Sequence, residues 1–279
     1  LATGHPDFKH PRCYANSRGG CSDGISGEHY VSFGLIKLYH GDRPMVTPGP
    51  EYGIPRAIPG KIFTANVLCG AHNSGLSSAD AAAIDFARPL RAAAVEFVTT
   101  GVWGTAEVHE VSGSDFRRWV LKLLMTHAAA DVLRRDGETI STPEHPAAVD
   151  LLLDRAAWPH TWGLAVGPAK GNKYLTSHPF RAKALNEWWG ATPFIDRNGK
   201  LCGGIVELAG VSFALTLFNQ GRAEGYTADP ESPFYRSVPH PSFVAWDLNG
   251  VEKRVNFTWD DLHAHGGITY GFESRPVAS

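Results

Sequence analysis

The sequence predicts an α+β fold with a metal-stapled head, a helical middle and a strand-rich tail, on three observations. Three of the four cysteines fall within the first 69 residues, in a stretch too rich in Gly and Pro to build a core by itself. Apolar residues recur at helical spacing from Ser77 to Ala157. After Trp158 the pattern changes to short apolar runs broken by Gly, Pro and Asn. We therefore divide the chain into residues 1–86, 87–158 and 159–279, the last of unassigned role.

The head opens with turn clusters at Ser17-Arg18-Gly19-Gly20 and Asp42-Arg43-Pro44 and an irregular stretch from Thr47 to Gly60. Between them, Tyr30, Val31, Phe33, Leu35, Ile36 and Leu38 suggest a strand or turn leading into a short helix. Ser77 or Ser78 can cap a helix starting near Ala79, with Pro89 as an expected kink. A second helix is expected from Asp115 to Arg134 with Ser114 as its cap, and a third from Glu144 to Ala157. In the tail, Leu201–Leu208 and Val211–Phe218 flank Ala209-Gly210 and read as a hairpin, while Phe243–Asp247 and Val255–Trp259 read as further strands.

Composition narrows the function classes. Of 279 residues, 43% are hydrophobic and 19% charged, enough for a substantial core. A formal net charge of -2 leaves no overall basic field, so a nucleic-acid surface would have to be a local patch. The apolar run from Ile205 to Phe218 is interrupted by Glu207, Gly210 and Ser212, and no secretory signal pattern opens the sequence, so a soluble, cytoplasmic protein with no membrane partner is expected.

Cys13 and Cys21 are separated by seven residues, two of them Gly, while Cys69 and His72 form a Cys-Gly-Ala-His knuckle. Two such pairs joined by a longer segment suit a closed tetrahedral zinc site. His5 and His10 are alternatives for the fourth ligand. Cys202 stands alone in an apolar strand and reads as a small buried hydrophobe.

Around these ligands, Ser26-Gly27-Glu28-His29-Tyr30, Asn66-Val67-Leu68-Cys69 and Cys69-Gly70-Ala71-His72-Asn73-Ser74-Gly75-Leu76, with Asp80 following, resemble the zinc-bound subgroup of the HNH endonuclease family, over about Cys13 to Phe86. The resemblance implies a ββα-metal head and hydrolysis of phosphodiester bonds in DNA. It makes His29 the general base and Glu28 and Asn73 the protein ligands of a catalytic Mg²⁺ or Mn²⁺. Asn66 would brace the loop holding the base. Zinc on Cys13, Cys21, Cys69 and His72 is then purely structural.

A second reading is a non-catalytic, zinc-stabilised regulatory protein that binds nucleic acid or protein. Near-neutral charge favours it, as does Glu28 where the family more often has Asp. Outside the head, Arg117-Arg118-Trp119 with Lys122, and Arg181 and Lys183 near Trp188-Trp189, mix cations with aromatics as single-strand binding surfaces do, though solvated charges beside core tryptophans are the simpler account.

Overall fold

A computed structural model describes residues 4–54, 56–135, 138–139, 146–159, 162–166, 188–195, 201–217, 240–261 and 265–272. Arg181 and Lys183 lie outside the described residues.

In the head, β1 (Ile25–His29) pairs antiparallel with β4 (Thr64–Cys69). The crossing between them carries α1 (Phe33–His40) and a small ladder of β2 (Met45–Val46) and β3 (Ile58–Pro59). β4 runs straight into α2 (Gly70–Gly75) and then α3 (Ser77–Thr100). The strand-then-helix expectation for 28–38 is met, with α1 entered through Ser32 and closed by Gly41 at φ 77°, whose N–H donates to the Lys37 carbonyl at 2.8 Å.

Pro89 lies inside α3 and does not end it, and Gly101 closes the helix in the left-handed region. The buried face of α3 carries Ala79, Ala82, Ala83, Phe86, Ala87, Leu90, Ala93 and Ala94. Alanines spaced every three or four residues let a neighbouring helix approach closely. That neighbour is α4 (Gly113–Ala129), which also packs on β10, β11 and β13 of the tail. Buried almost all round, α4 is the central element of the molecule. Its cap is Ser112, whose hydroxyl accepts the Asp115 N–H at 3.1 Å; the Ser114 hydroxyl instead accepts from the Asp260 N–H.

Between α3 and α4 lies β5 (Glu107–Ser112), a strand the helical pattern of this region did not announce. β6 (Arg134–Arg135) and β7 (Glu138–Thr139) form a small ladder, and α5 (Pro146–Leu152) is shorter than the expected helix over 144–157. The tail holds β8 (Trp162–Val166), β9 (Trp189–Ile195), β10 (Leu201–Leu208) and β11 (Val211–Leu217) in one sheet, ordered β8-β11-β10-β9. β12 (His240–Leu248), β13 (Val251–Thr258) and β14 (His265–Phe272) join β5 in a second, ordered β14-β12-β13-β5. The expected hairpin is β10–β11, turning at Ala209 (φ 52°) and Gly210 (φ 82°). β12–β13 turns at Asn249 and Gly250, both also at positive φ, as two-residue hairpins with right-handed twist require.

One apolar cluster runs through head, middle and tail. Phe86 of α3 meets Phe116 of α4 at 5.0 Å between ring centres, Phe116 meets Phe213 of β11 at 4.8 Å, and Phe86 stacks on Phe257 of β13 at 5.7 Å. The three stretches of sequence thus share one core, and β5 ties the middle into the second sheet by pairing parallel with β13.

His127, near the end of α4, has both ring nitrogens engaged: Nδ1–H donates to the Leu123 carbonyl at 2.7 Å and Nε2 accepts from the Tyr52 hydroxyl at 2.9 Å. Burial pushes its pKa down to about 4. Since the unfolded chain takes up this proton near the ordinary value of about 6.5, stability falls as pH is lowered from about 6.5 to about 4, by roughly 3 kcal/mol from this group. Urea unfolding at several pH values, compared at equal metal content, is expected to show a flatter acid limb in His127→Gln than in the native chain.

Candidate metal centre

The knuckle forms because β4 ends where α2 begins. Cys69 is the residue preceding the helix and His72 lies within its first turn, so their side chains converge. The other pair arrives on the loop before β1. Gly19 and Gly20 have φ of 70° and 76°, and a Cβ on Gly19 would lie 2.2 Å from the Pro6 carbonyl oxygen. Only glycine turns the chain this tightly ahead of Cys21.

Cys13, Cys21, Cys69 and His72 form the one group among the described residues whose Cys, His and carboxylate donors could hold a metal ion, with all four ligand atoms within 4.8 Å of one another. His72 Nδ1 lies 3.3 Å from Cys13 Sγ, 3.8 Å from Cys21 Sγ and 3.4 Å from Cys69 Sγ. Bonds of about 2.3 Å to sulfur and 2.0–2.1 Å to nitrogen in a tetrahedron put such donors roughly 3.5 Å apart, so the cage matches a four-coordinate ion. All four residues are buried. His5, an alternative ligand in sequence terms, instead faces Asp23 at 3.9 Å, and Cys202 lies in β10 away from the cluster.

The electrostatics also suit a cation. Burial pushes the Cys13 thiol up to about 12, against backbone N–H groups of Cys69 and Ala15 that favour its thiolate. Burial likewise raises Cys21. Cys69 is buried too, yet N–H groups of His72 and Ser22 and the other two thiols hold it below its ordinary value. The backbone thus offers hydrogen bonds to thiolates that burial alone would keep protonated, and a bound cation resolves that conflict. His72 is lowered by burial and by Arg155, which keeps its imidazole neutral and able to donate a lone pair.

Comparison of the chain with protein-family models, with curated proteins and with solved structures finds no match.

His29 is the last residue of β1, paired with Thr64, and its ring stacks on Phe33 at 5.1 Å. Burial and the Lys122 ammonium lower its pKa, with Asp80 and the Lys61 carbonyl pulling the other way. The imidazole is neutral at neutral pH, and its buried Nε2 makes no hydrogen bond among the described residues.

Glu28 points the other way, into the interior. Its Oε1 accepts from Lys122 Nζ at 2.7 Å, and the same ammonium reaches Asp80 Oδ2 at 2.8 Å. Asp80 also accepts from the Ser32 hydroxyl at 2.5 Å, and Ser32 accepts from Trp119 Nε1 at 2.9 Å. Burial pushes the Glu28 carboxyl up to about 7 even with Lys122 beside it. Lys122 would be lowered by burial, but Glu28 and Asp80 hold it above its ordinary value.

Asn73 donates from Nδ2 to Ser26 Oγ at 2.9 Å, which ties α2 to β1. Asn66 sits where β1 and β4 slip register, with its side chain exposed and without a hydrogen bond to the loop holding His29. The structure therefore puts Asn73 beside Ser26 at the Ile25–Cys69 end of the hairpin and Glu28 and His29 at the opposite end, where His29 pairs with Thr64, and it gives Asn66 no bracing contact. Glu28 and Asn73 do not fit a shared divalent ion as they stand, because Glu28 already holds an ammonium in the interior.

The basic turn of α4 is not a surface either. Lys122 is 3% exposed, and Arg117, also 3% exposed, donates to Asp261 Oδ2 at 2.6 Å and lies over Trp158. Sequence reasoning could not tell these cations from solvated ones, because their partners are brought in from distant strands and helices.

Proposed function

We propose that the head is a zinc-stapled ββα-metal unit that hydrolyses phosphodiester bonds in DNA, with His29 as general base. The observation that carries the reading is the His29 imidazole, held neutral at the end of the hairpin that the Cys69–His72 knuckle anchors, with Nε2 free to accept a proton. A general base near neutral pH needs that protonation state and an unpaired lone pair, and local movement must admit water to the buried Nε2. Zinc is the ion the three thiolates and one imidazole suit best, since cysteine-rich tetrahedral cages favour it over the oxygen-seeking Mg²⁺.

This chain's own residues act by proton transfer. His29 takes a proton from a water molecule attacking the phosphorus, while the Lys61 carbonyl bears on the same ring. Exposed Lys37, Arg43, Arg56 and Lys61, all on the crossing between β1 and β4, supply positive charge for the phosphate backbone. Lys37 Nζ lies 5.3 Å from the centre of the Phe33 ring on which His29 stacks. A Mg²⁺ or Mn²⁺ ion, where bound, would stabilise charge on the phosphate and leaving oxygen.

The second reading, a zinc-stabilised regulatory protein that binds nucleic acid or protein without cutting it, is favoured by one observation: the Glu28 carboxylate is committed to Lys122. Plasmid and single-stranded DNA incubated with the metal-loaded chain and Mg²⁺ or Mn²⁺ separate the two. Cleavage is expected, and His29→Ala should slow it about 10²- to 10⁴-fold with zinc content and circular dichroism unchanged. Intact substrates, or undiminished cutting by the variant, would reject the nuclease assignment.

A further inference from the structure

A cleft of about 400 Å³ lies where the head's crossing segment meets the end of α4 and the strand β9. It is remote in purpose from His29 and from the cysteine cage, and its lining is unlike either. Tyr52, Phe63, His127 and Trp189 supply the aromatic part, and Thr47 and Glu51 the polar part. The rings are packed against one another: Tyr52 and Phe63 centres are 5.0 Å apart, His127 and Trp189 5.8 Å, and Phe63 and Trp189 6.5 Å. Such a mutually braced wall holds its shape without a ligand, which lowers the cost of ordering it on binding.

Tyr52 and Glu51 share one character, that of acceptors. Because His127 Nδ1–H is committed to the Leu123 carbonyl, Nε2 must accept the Tyr52 proton, and the Tyr52 oxygen can then only accept from anything else. Glu51 is exposed at the solvent side and makes no ion pair among the described residues. Among the described lining residues there is neither Lys nor Arg. Aromatic rings, a phenolic oxygen and an unpaired carboxylate all favour positive charge, and no charged group among the described lining residues would offset it.

We propose that this cleft binds a methylated ammonium group, carried either by a free small molecule or by a modified lysine side chain. Glu51 supplies the long-range charge, and Tyr52 and Trp189 the aromatic surface against which the methyl groups pack. A bare, strongly hydrated ammonium would lose more solvation here than a methylated one, so methylation is the selective feature.

The test uses the full metal-loaded chain. Isothermal titration is run with choline, with a short peptide carrying trimethyl-lysine, and with 3,3-dimethyl-1-butanol, the neutral isostere of choline. Saturable binding is expected for at least one cation, and the tighter of the two names the source. The neutral isostere should bind at least about tenfold more weakly. Glu51→Gln, at an exposed position, should weaken the cation about two- to fivefold while the metal content and circular dichroism stay the same. Trp189→Ala should weaken both cations further. No saturable binding of either cation, equal binding of the isostere, or binding indifferent to Glu51→Gln would overturn the proposal. These outcomes are independent of whether His29 cuts DNA.

Discussion

Cys69→Ser is expected to empty the metal site and unfold the head. Cys69 belongs at once to the end of β4, the start of α2 and the ligand cage, so its loss releases the hairpin from the helix as well as the ion from its donors. Metal binding in comparable small modules contributes roughly 10 kcal/mol or more to folding, against a typical net stability of about 5–15 kcal/mol for a whole domain. The loop that presents Cys13 and Cys21 is otherwise held by the Tyr14 N–H on the Val67 carbonyl and, at the surface, by Arg18 on Asp150, contacts that do not replace four bonds to an ion. Its neighbours are turns and a Gly19-Gly20 pair at positive φ, and Phe8 is more than a third exposed. The loss should extend past the head, because Leu35, Ile36, Phe63 and Leu68 belong to the same continuous core as α3 and α4. Elemental analysis is expected to give one zinc per native chain and none for the variant. Limited proteolysis should cut the variant first before residue 70, and excess chelator should reproduce the pattern in the native chain. Cys202→Ala, in β10, is the control and should keep its zinc. A native chain free of metal, or a Cys69→Ser variant as resistant to proteolysis as the native one, would remove the staple from the account.

The cage was legible in the sequence because its ligands come as two short-range pairs, and short spacing constrains geometry directly. The β10–β11 hairpin was legible for a similar reason: Ala209-Gly210 sits between two apolar runs of matching length. β12–β13 carried the stronger signal, Asn249-Gly250, which marks the turn and fixes the register that separate strand readings of 243–247 and 255–259 left open. β5 was not legible. Glu107-Val108-His109-Glu110-Val111 is polar, Val108 is exposed, and the strand exists because β13, some 145 residues later, offers it a parallel partner. Ser112 rather than Ser114 caps α4 for the same reason, since the strand delivers the chain to the helix two residues earlier.

The candidate catalytic group divides along the same line. His29 stands at the Thr64 end of the hairpin, whereas Asn73, inside α2, sits at the other end beside Ser26 and so apart from the Glu28-His29 pair it was expected to join. The fate of Glu28 is decided by Lys122 and Asp80, 94 and 52 residues away, and no spacing rule reaches that far. Adjacent residues in a strand face opposite sides. Glu28 and His29 are adjacent in β1, so one facing the interior leaves the other toward the hairpin's outer side. The acidic-His pair thus splits into an anchor for α4 and an imidazole with a free lone pair.

Lys122→Met follows as the second large effect. Its ammonium is the shared partner of Glu28 and Asp80, and a methionine of similar length fills the space while leaving two carboxylates facing each other. Breaking a buried ion pair from one side costs about 3–5 kcal/mol, because the abandoned charge has no solvent to return to. The loss should depend on pH in a definite direction. With Lys122 present, burial already pushes Glu28 up to about 7, and without it the carboxyl must rise further. A carboxyl whose folded value lies above its unfolded value of about 4.5 binds its proton more tightly in the folded chain. Its contribution is therefore greatest below about pH 4.5 and is lost as pH rises through about 7. Lys122→Met should accordingly be only mildly destabilised at pH 5 and most severely at pH 8, as read by urea unfolding at each pH with zinc content held equal. Adding Glu28→Gln should restore much of the loss at pH 8, since an amide needs no counter-ion, and the double variant should lose most of the pH dependence. If Lys122→Met unfolds at the same urea concentration as the native chain at pH 8, the ammonium does not hold the head to α4. If the variant instead gains Mn²⁺ binding that Glu28→Gln abolishes, Lys122 is what keeps a divalent ion off Glu28, and the proposed catalytic site would gain its missing ligand only when α4 withdraws that side chain.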